Sequence, residues 1–258
     1  MAGSRETKIA NPVFDFLLRV ADDRLVLGHR LSEWCGHGPI LEEDIALSNI
    51  ALDLVGQASA VLKIAGQVEG AGRDEDALAY FRNETDYRNA QLVELPNGDF
   101  AVTILRQFLF DAFSVLQWES LRECKHTQLA GIAAKAFKED SYHLRHSSDW
   151  VLRLGDGTEE SHERAQRAVN DLWRFSGELF EHDAVDEAAA ARGLGVDHAA
   201  IRARWHEMVA DVMSRATITI PTVAAMATGG RRGRHTEFLG HLLAEMQIVA
   251  RSHPGASW

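Results

Sequence analysis

The stretch His126–Leu154, HTQLAGIAAKAFKEDSYHLRHSSDWVLRL, decides how the chain is read. Leu129, Ile132, Ala133, Ala136, Trp150 and Leu154 recur at three- and four-residue steps, the period of a helix with one buried face. Continued through the middle, that stripe puts Glu139, Asp140 and His143 on or beside the buried face, because residues three or four apart share one side of a helix. A carboxylate and an imidazole therefore point inward together.

Inward carboxylates with a histidine one turn on are how a ferritin-like four-helix bundle holds two iron ions. It uses a Glu from each of two helices and Glu-x-x-His from each of the other two. Asp140-Ser141-Tyr142-His143 has that spacing, with Asp in place of Glu. Three more helices are needed to complete such a bundle. Residues 13–35 carry Phe14, Leu17, Leu18, Ala21, Leu25, Leu31 and Trp34 on one face, and Gly36 offers a stop. Residues 41–66 place Leu47, Ala51, Leu54, Ala58, Val61 and Ala65 at alternating four and three spacing, the seam of a bundle helix. Beside that seam runs a polar stripe, Asn49, Asp53 and Gln57. A third helix runs over 99–124, where Asp111 is the one charge in the apolar run FLFDAFSVL. A carboxylate there must be paired, protonated or metal-bound, since burying it uncompensated costs several kcal/mol.

Residues 70–98 are rich in charge and turn formers and read as a connection with at most one short helix. After Gly155-Asp156-Gly157, further helices are predicted over 158–182 and 197–216. A glycine-rich basic loop with Arg231, Arg232, Arg234 and His235 then precedes a last helix. The prediction is one all-α, ferritin-like domain over 1–258, a four-helix bundle with additional C-terminal helices.

Iron ligation of this kind takes about six protein ligands. The candidates are Asp53, Asp111, Glu139 or Asp140, and His143, with Glu33 more distant; Lys135, Lys138 and Arg145 stand near enough to offset some of their charge. One histidine is missing outright, because Asp53 is followed three and four residues on by Gly56 and Gln57. The set reads as a degenerate polar cluster, with no metal, catalytic or cofactor role for this chain. His235 with Glu237, and His241 with Glu245, share helix faces and read as exposed pairs. The three arginines among Gly229, Gly230 and Gly233 suit an anionic partner, carboxylate or phosphate. Tryptophans 34, 118, 150, 173 and 205 lie at apolar stripes and read as packing.

A formal charge of −11 argues against a general nucleic-acid binder, which needs a dominant basic field. No apolar run approaches the roughly 20 residues of a membrane span, and the first residues lack a signal-peptide core, so a cytoplasmic location is expected. Cys35 and Cys124, far apart, fit reduced thiols there.

Together, RLSEWCGHGP, LSNIALDLVGQA, LPNGDFA, KAFKEDSYHLRH, LWRFSGELF and TGGRRGRHTEFLGHLLAEMQ resemble the C-subunit family of the bacterial phenylacetyl-CoA epoxidase, the ring-oxygenating complex of phenylacetate degradation. The likeness covers nearly the whole chain in order. It implies a ferritin-like fold and stable pairing with a homologous A subunit that carries the di-iron centre, binds phenylacetyl-CoA and performs the epoxidation. The C subunit is then the non-catalytic, structural partner. A separate flavin and iron–sulfur reductase subunit delivers electrons from NADPH to the A subunit. The rival reading of the same residues is a catalytic di-iron oxygenase in its own right.

Overall fold

The computed structural model describes residues 11–256. Its α-helices follow in the order α1 (Pro12–Ser32), α2 (Leu41–Glu69), α3 (Glu75–Tyr80), α4 (Gln91–Glu94), α5 (Phe100–Leu121), α6 (Thr127–Gly155), α7 (Glu159–Leu172), α8 (Ala184–Ala191), α9 (His198–Arg215) and α10 (Glu237–Ser252). No strand occurs among the described residues.

The long helices α1, α2, α5 and α6 form a ferritin-like bundle, with α1 packed along α2 and α5 along α6. Each begins or ends where local chemistry demands it. Pro12 follows the Asn11 cap of α1, the Asp99 carboxylate accepts from Val102 N at 3.0 Å to start α5, and His126 Nδ1 accepts from Leu129 N at 3.3 Å to start α6. Gly70 ends α2 with φ 69°, a left-handed conformation that glycine takes without strain. Gly28 lets α1 approach α2 closely: a Cβ there would lie 2.9 Å from Val55 Cγ2 and 3.1 Å from Ala51 O. The core between these helices is continuous with that under α7 and α9, where Trp205 stacks near Trp173 and Phe180 and donates its Nε1–H to Leu109 O at 2.9 Å.

Three sequence expectations are corrected. The connection 70–98 holds two short helices, α3 and α4, and a 3-10 turn at Glu84–Asp86, where at most one helix is predicted. Carboxylates of α1 hold it in place. Asp22 pairs with Arg82 and accepts from Arg88 N at 2.8 Å, while Asp23 accepts from Ala90 N at 2.7 Å. Secondly, the helix predicted over 158–182 is α7 followed by 3-10 backbone at Trp173–Phe180, and α8 is additional. Thirdly, α2 and α5 are both long and apolar enough to cross a membrane by length and composition. For α5 that apolarity serves the core, since 89% of its most apolar window is buried; for α2 the figure is 44%, because much of its apolar surface faces outward.

The basic loop is corrected as well. Gly229 (φ 135°) and Gly233 (φ 72°) need left-handed backbone, and a Cβ on Gly230 would sit 2.2 Å from Asn89 O. The loop is therefore packed against the crossover connection. Arg231 is buried with both terminal nitrogens 2.9 Å from the carboxylate of Asp23, and His235 is enclosed with Nδ1 2.8 Å from Glu94 Oε2. Neither is free to meet a partner. Arg232 and Arg234 are the exposed members, and Arg232 pairs with Glu181 at 3.1 Å.

Candidate functional site

The bundle interior brings four helices to one polar cluster. From α6 come Asp140 and His143, both fully buried, one turn apart on the inward stripe. From α5 come Asp111 and Ser114, likewise one turn apart. From α2 come Asp53 and Gln57, and from α1 comes Arg24, which the sequence reading did not single out. The predicted residues do not all share one environment. Asp53 keeps 42% of its side chain exposed, and Glu139 sits at the rim, paired with Lys135 at 2.9 Å. Glu33 lies apart, bound to Arg30 and Asn97 at 2.8 Å each. Lys138 and Arg145 are exposed on the outside of α6.

Around His143 the charges are close. Its Nε2 lies 3.1 Å from Asp53 Oδ2, and its Nδ1 lies 3.4 Å from Asp140 Oδ1, an electrostatic contact without good hydrogen-bond geometry. Burial alone would lower the imidazole's pKa, but Asp140 and Asp53 outweigh it and raise it to about 10. Asp140 shows the same balance from the other side. Its burial opposes ionisation, yet His143, Arg24 and the Ser114 hydroxyl hold its carboxyl below the usual range. Gln57 Nε2 donates to Asp140 Oδ1 at 2.8 Å and to Glu139 Oε2 at 3.0 Å. Asp111 is different. Burial pushes it up to about 7, only partly opposed by the nearby His143, and it accepts from Gln107 Nε2 at 2.6 Å and Ser147 Oγ at 2.8 Å.

Arg24 occupies the centre. Its Nε donates to Gln57 Oε1 at 3.2 Å and its Nη2 to Ser114 Oγ and to Gln117 Oε1 at 3.1 Å, while the guanidinium carbon stands 4.0 Å from the Trp118 ring centre. Burial lowers its pKa to about 10, with Asp140 opposing, so at neutral pH it stays a cation. A groove of about 480 Å³ between α2 and α6 opens from solvent onto Gln57 and Glu139, with Lys63 and Lys135 on its walls and the side-chain-free Gly56 and Gly131 leaving the space.

The ferritin-like fold raises the question of two iron ions, and these residues do not fit them. A cationic guanidinium stands among the donors from α2, α5 and α6, where it would repel a metal and already uses the oxygens of Gln57 and Ser114. The one histidine of the cluster faces carboxylates with both ring nitrogens, and in its charged form it has no lone pair to offer. What the arrangement does is close a charge balance inside the bundle: Arg24 and His143 against Asp140 and Asp53, with Asp111 near neutrality.

Arg24 was legible in part. It stands at the end of the run Asp22-Asp23-Arg24 inside an apolar helix, where three consecutive charges cannot all reach solvent. The structure sends them different ways, the aspartates toward the crossover and C-terminal loops and the arginine into the bundle.

The comparisons with known proteins follow the same lines. A family model described as "Phenylacetic acid catabolic protein" matches residues 3–258. The chain is also similar to the C subunit of the 1,2-phenylacetyl-CoA epoxidase of Escherichia coli (strain K12), at 48% identity over 248 residues, 96% of this chain and the whole of that relative. With a match over nearly its full length and a helical bundle of the expected kind, the chain belongs to the phenylacetic acid catabolic protein family.

Proposed function

We propose that this chain is the structural, non-catalytic subunit of a multicomponent phenylacetyl-CoA 1,2-epoxidase of aerobic phenylacetate degradation, pairing with and stabilising a homologous A subunit. The observation that carries this reading is Arg24. An organic cation in the middle of the donor set argues against a di-iron centre in this chain and supports a reading in which the iron and the chemistry belong to the partner. The likeness to a protein named as one subunit of an epoxidase supports the assembly.

The outer face of α2 supports it too. Leu41 (72% exposed), Ile45 and Leu52 (70%) lie along it, with Tyr142 of α6 also exposed. A helix that is apolar on its outward face as well as its inward one is built to be covered. In this reading phenylacetyl-CoA is bound by the A subunit, the complex also includes a reductase, and the assembly works in the cytoplasm.

Iron content and association test the reading together. Purified alone after growth with iron, the chain should hold well under one iron per molecule; mixed with the A subunit it should co-elute on size exclusion, and the iron should follow the A subunit. About two irons per isolated chain, with epoxidation of phenylacetyl-CoA, would instead make the chain the oxygenase.

A further inference from the structure

Away from the bundle centre, His182, Asp186 and His198 each bring a ligand atom to within 4.8 Å of the other two. They come from three places: the link that follows the 3-10 stretch Trp173–Phe180, the first turn of α8, and the first residue of α9. Asp186 is buried, His198 half-buried and His182 exposed, so the cluster has an interior wall and an open side. The mixture of two imidazoles and a carboxylate suits a borderline divalent transition ion better than calcium or magnesium, which prefer oxygen alone.

The carboxylate is already aimed. Asp186 Oδ2 accepts from Arg19 Nη1 at 2.9 Å and from the backbone N of Asp183 at 3.0 Å, which fixes the plane of the group. Its Oδ1 faces His198 Nε2 alone, 3.2 Å away. That separation is close to the roughly 3.3 Å edge of a tetrahedron built from bonds of about 2.0–2.1 Å to a central zinc. The His182 and His198 rings are 5.8 Å apart between centres, near enough to close on one ion by side-chain rotation. The Nδ1 of His198 is buried without a hydrogen-bond partner among the described residues, and Asp186 is the one side chain among them that hydrogen-bonds this ring. Outer partners of this sort, here Arg19 and the Asp183 amide on the carboxylate, orient ligands in metal sites. Arg19 bridges Asp183 at 2.7 Å and Asp186 at 2.9 Å, so the two carboxylates are held side by side.

We infer that His182, Asp186 and His198 form a surface site for one divalent transition metal ion of the zinc class, with a fourth position open to water or to a ligand from outside the chain. The ion would join the link before α8, α8 itself and α9, and through Asp186 and Arg19 it would tie all three to α1. It is separate from the bundle cluster and asks nothing of it.

The test uses the full chain, stripped of metal by chelator and then titrated with Co²⁺ alone. Intense visible d–d bands of four-coordinate cobalt should grow to saturation at one ion per chain and vanish on addition of Zn²⁺. His182→Ala removes an exposed side chain and should keep the wild-type circular dichroism while weakening Co²⁺ binding by at least ~10-fold, a loss on the scale of perturbed metal sites. His198→Ala should do the same, and His241→Ala, on the exposed face of α10, should change nothing. Only the pale spectrum of hydrated cobalt, or an affinity indifferent to His182→Ala, would overturn the assignment.

Discussion

Asp111 is a carboxylate whose charge the fold does not welcome. Burial raises its pKa from 3.8 to about 7, so the folded chain holds a proton there that the unfolded chain releases. A group raised in this way contributes its full stability below its unfolded pKa and loses it as pH rises through its folded one, here between about 4 and about 7. Asp111→Asn removes that dependence and can keep the contacts to Gln107 and Ser147. Urea unfolding should therefore find the variant already more stable than wild type at pH 5, by about 1–2 kcal/mol, and further ahead at pH 8, by roughly 3–4 kcal/mol from the linkage relation. A variant weaker than wild type at pH 8 would mean that the ionised carboxylate is needed. Arg231 gives the opposite case, a charge that its surroundings require. Removing it leaves Asp23 buried and unpaired, and Arg231→Ala should cost ~3–5 kcal/mol, whereas Arg232→Ala, with its exposed ion pair to Glu181, should stay within about 0.5 kcal/mol. The two arginines are adjacent and look alike in sequence. Their fates diverge because Asp23 reaches one and not the other, a contact across 208 positions that no local pattern carries.

At the scale of elements, the long helices were legible because each repeats its apolar residues at helical spacing, and the inward placement of Asp140 and His143 follows from the same stripe. The connection between α2 and α5 was not. Its short helices lack a long amphipathic pattern of their own and are held by Asp22 and Asp23 from α1 and, through Gln91 N at 2.7 Å, by Glu178. Charges that looked like solvated loop residues are partners for buried carboxylates. The outer face of α2 is the element on which assembly is predicted to turn. Leu52→Glu places a charge in the middle of that face and touches no core contact, since Leu52 is 70% exposed. Its circular dichroism and melting temperature should match wild type, while co-elution with the A subunit should weaken at least ~10-fold. Full pairing would move the interface elsewhere on the surface.

Across the whole molecule, the net charge of −11 hides an interior laced with arginine. Arg19, Arg24, Arg30, Arg82, Arg106 and Arg231 are all buried, and each meets a carboxylate, a carbonyl oxygen or a polar side chain from another part of the chain. Arg19 reaches from α1 to α8, Arg30 from α1 to the crossover and to Phe238 O, and Arg231 from the C-terminal loop back to α1. These contacts draw the additional helices onto the bundle, and helical periodicity alone says nothing of them.

Among them, Arg24 has a consequence for supply. A positive charge made of carbon and nitrogen arrives with the polypeptide on the ribosome, cannot be leached, and does not change oxidation state. On the proposed reading, the chain should therefore fold in a cell starved of iron as well as in one supplied with it. Protein made in iron-limited medium should melt at the same temperature as protein made in rich medium, with matched zinc in both. A lower melting point after iron limitation would show that the fold still depends on the nutrient.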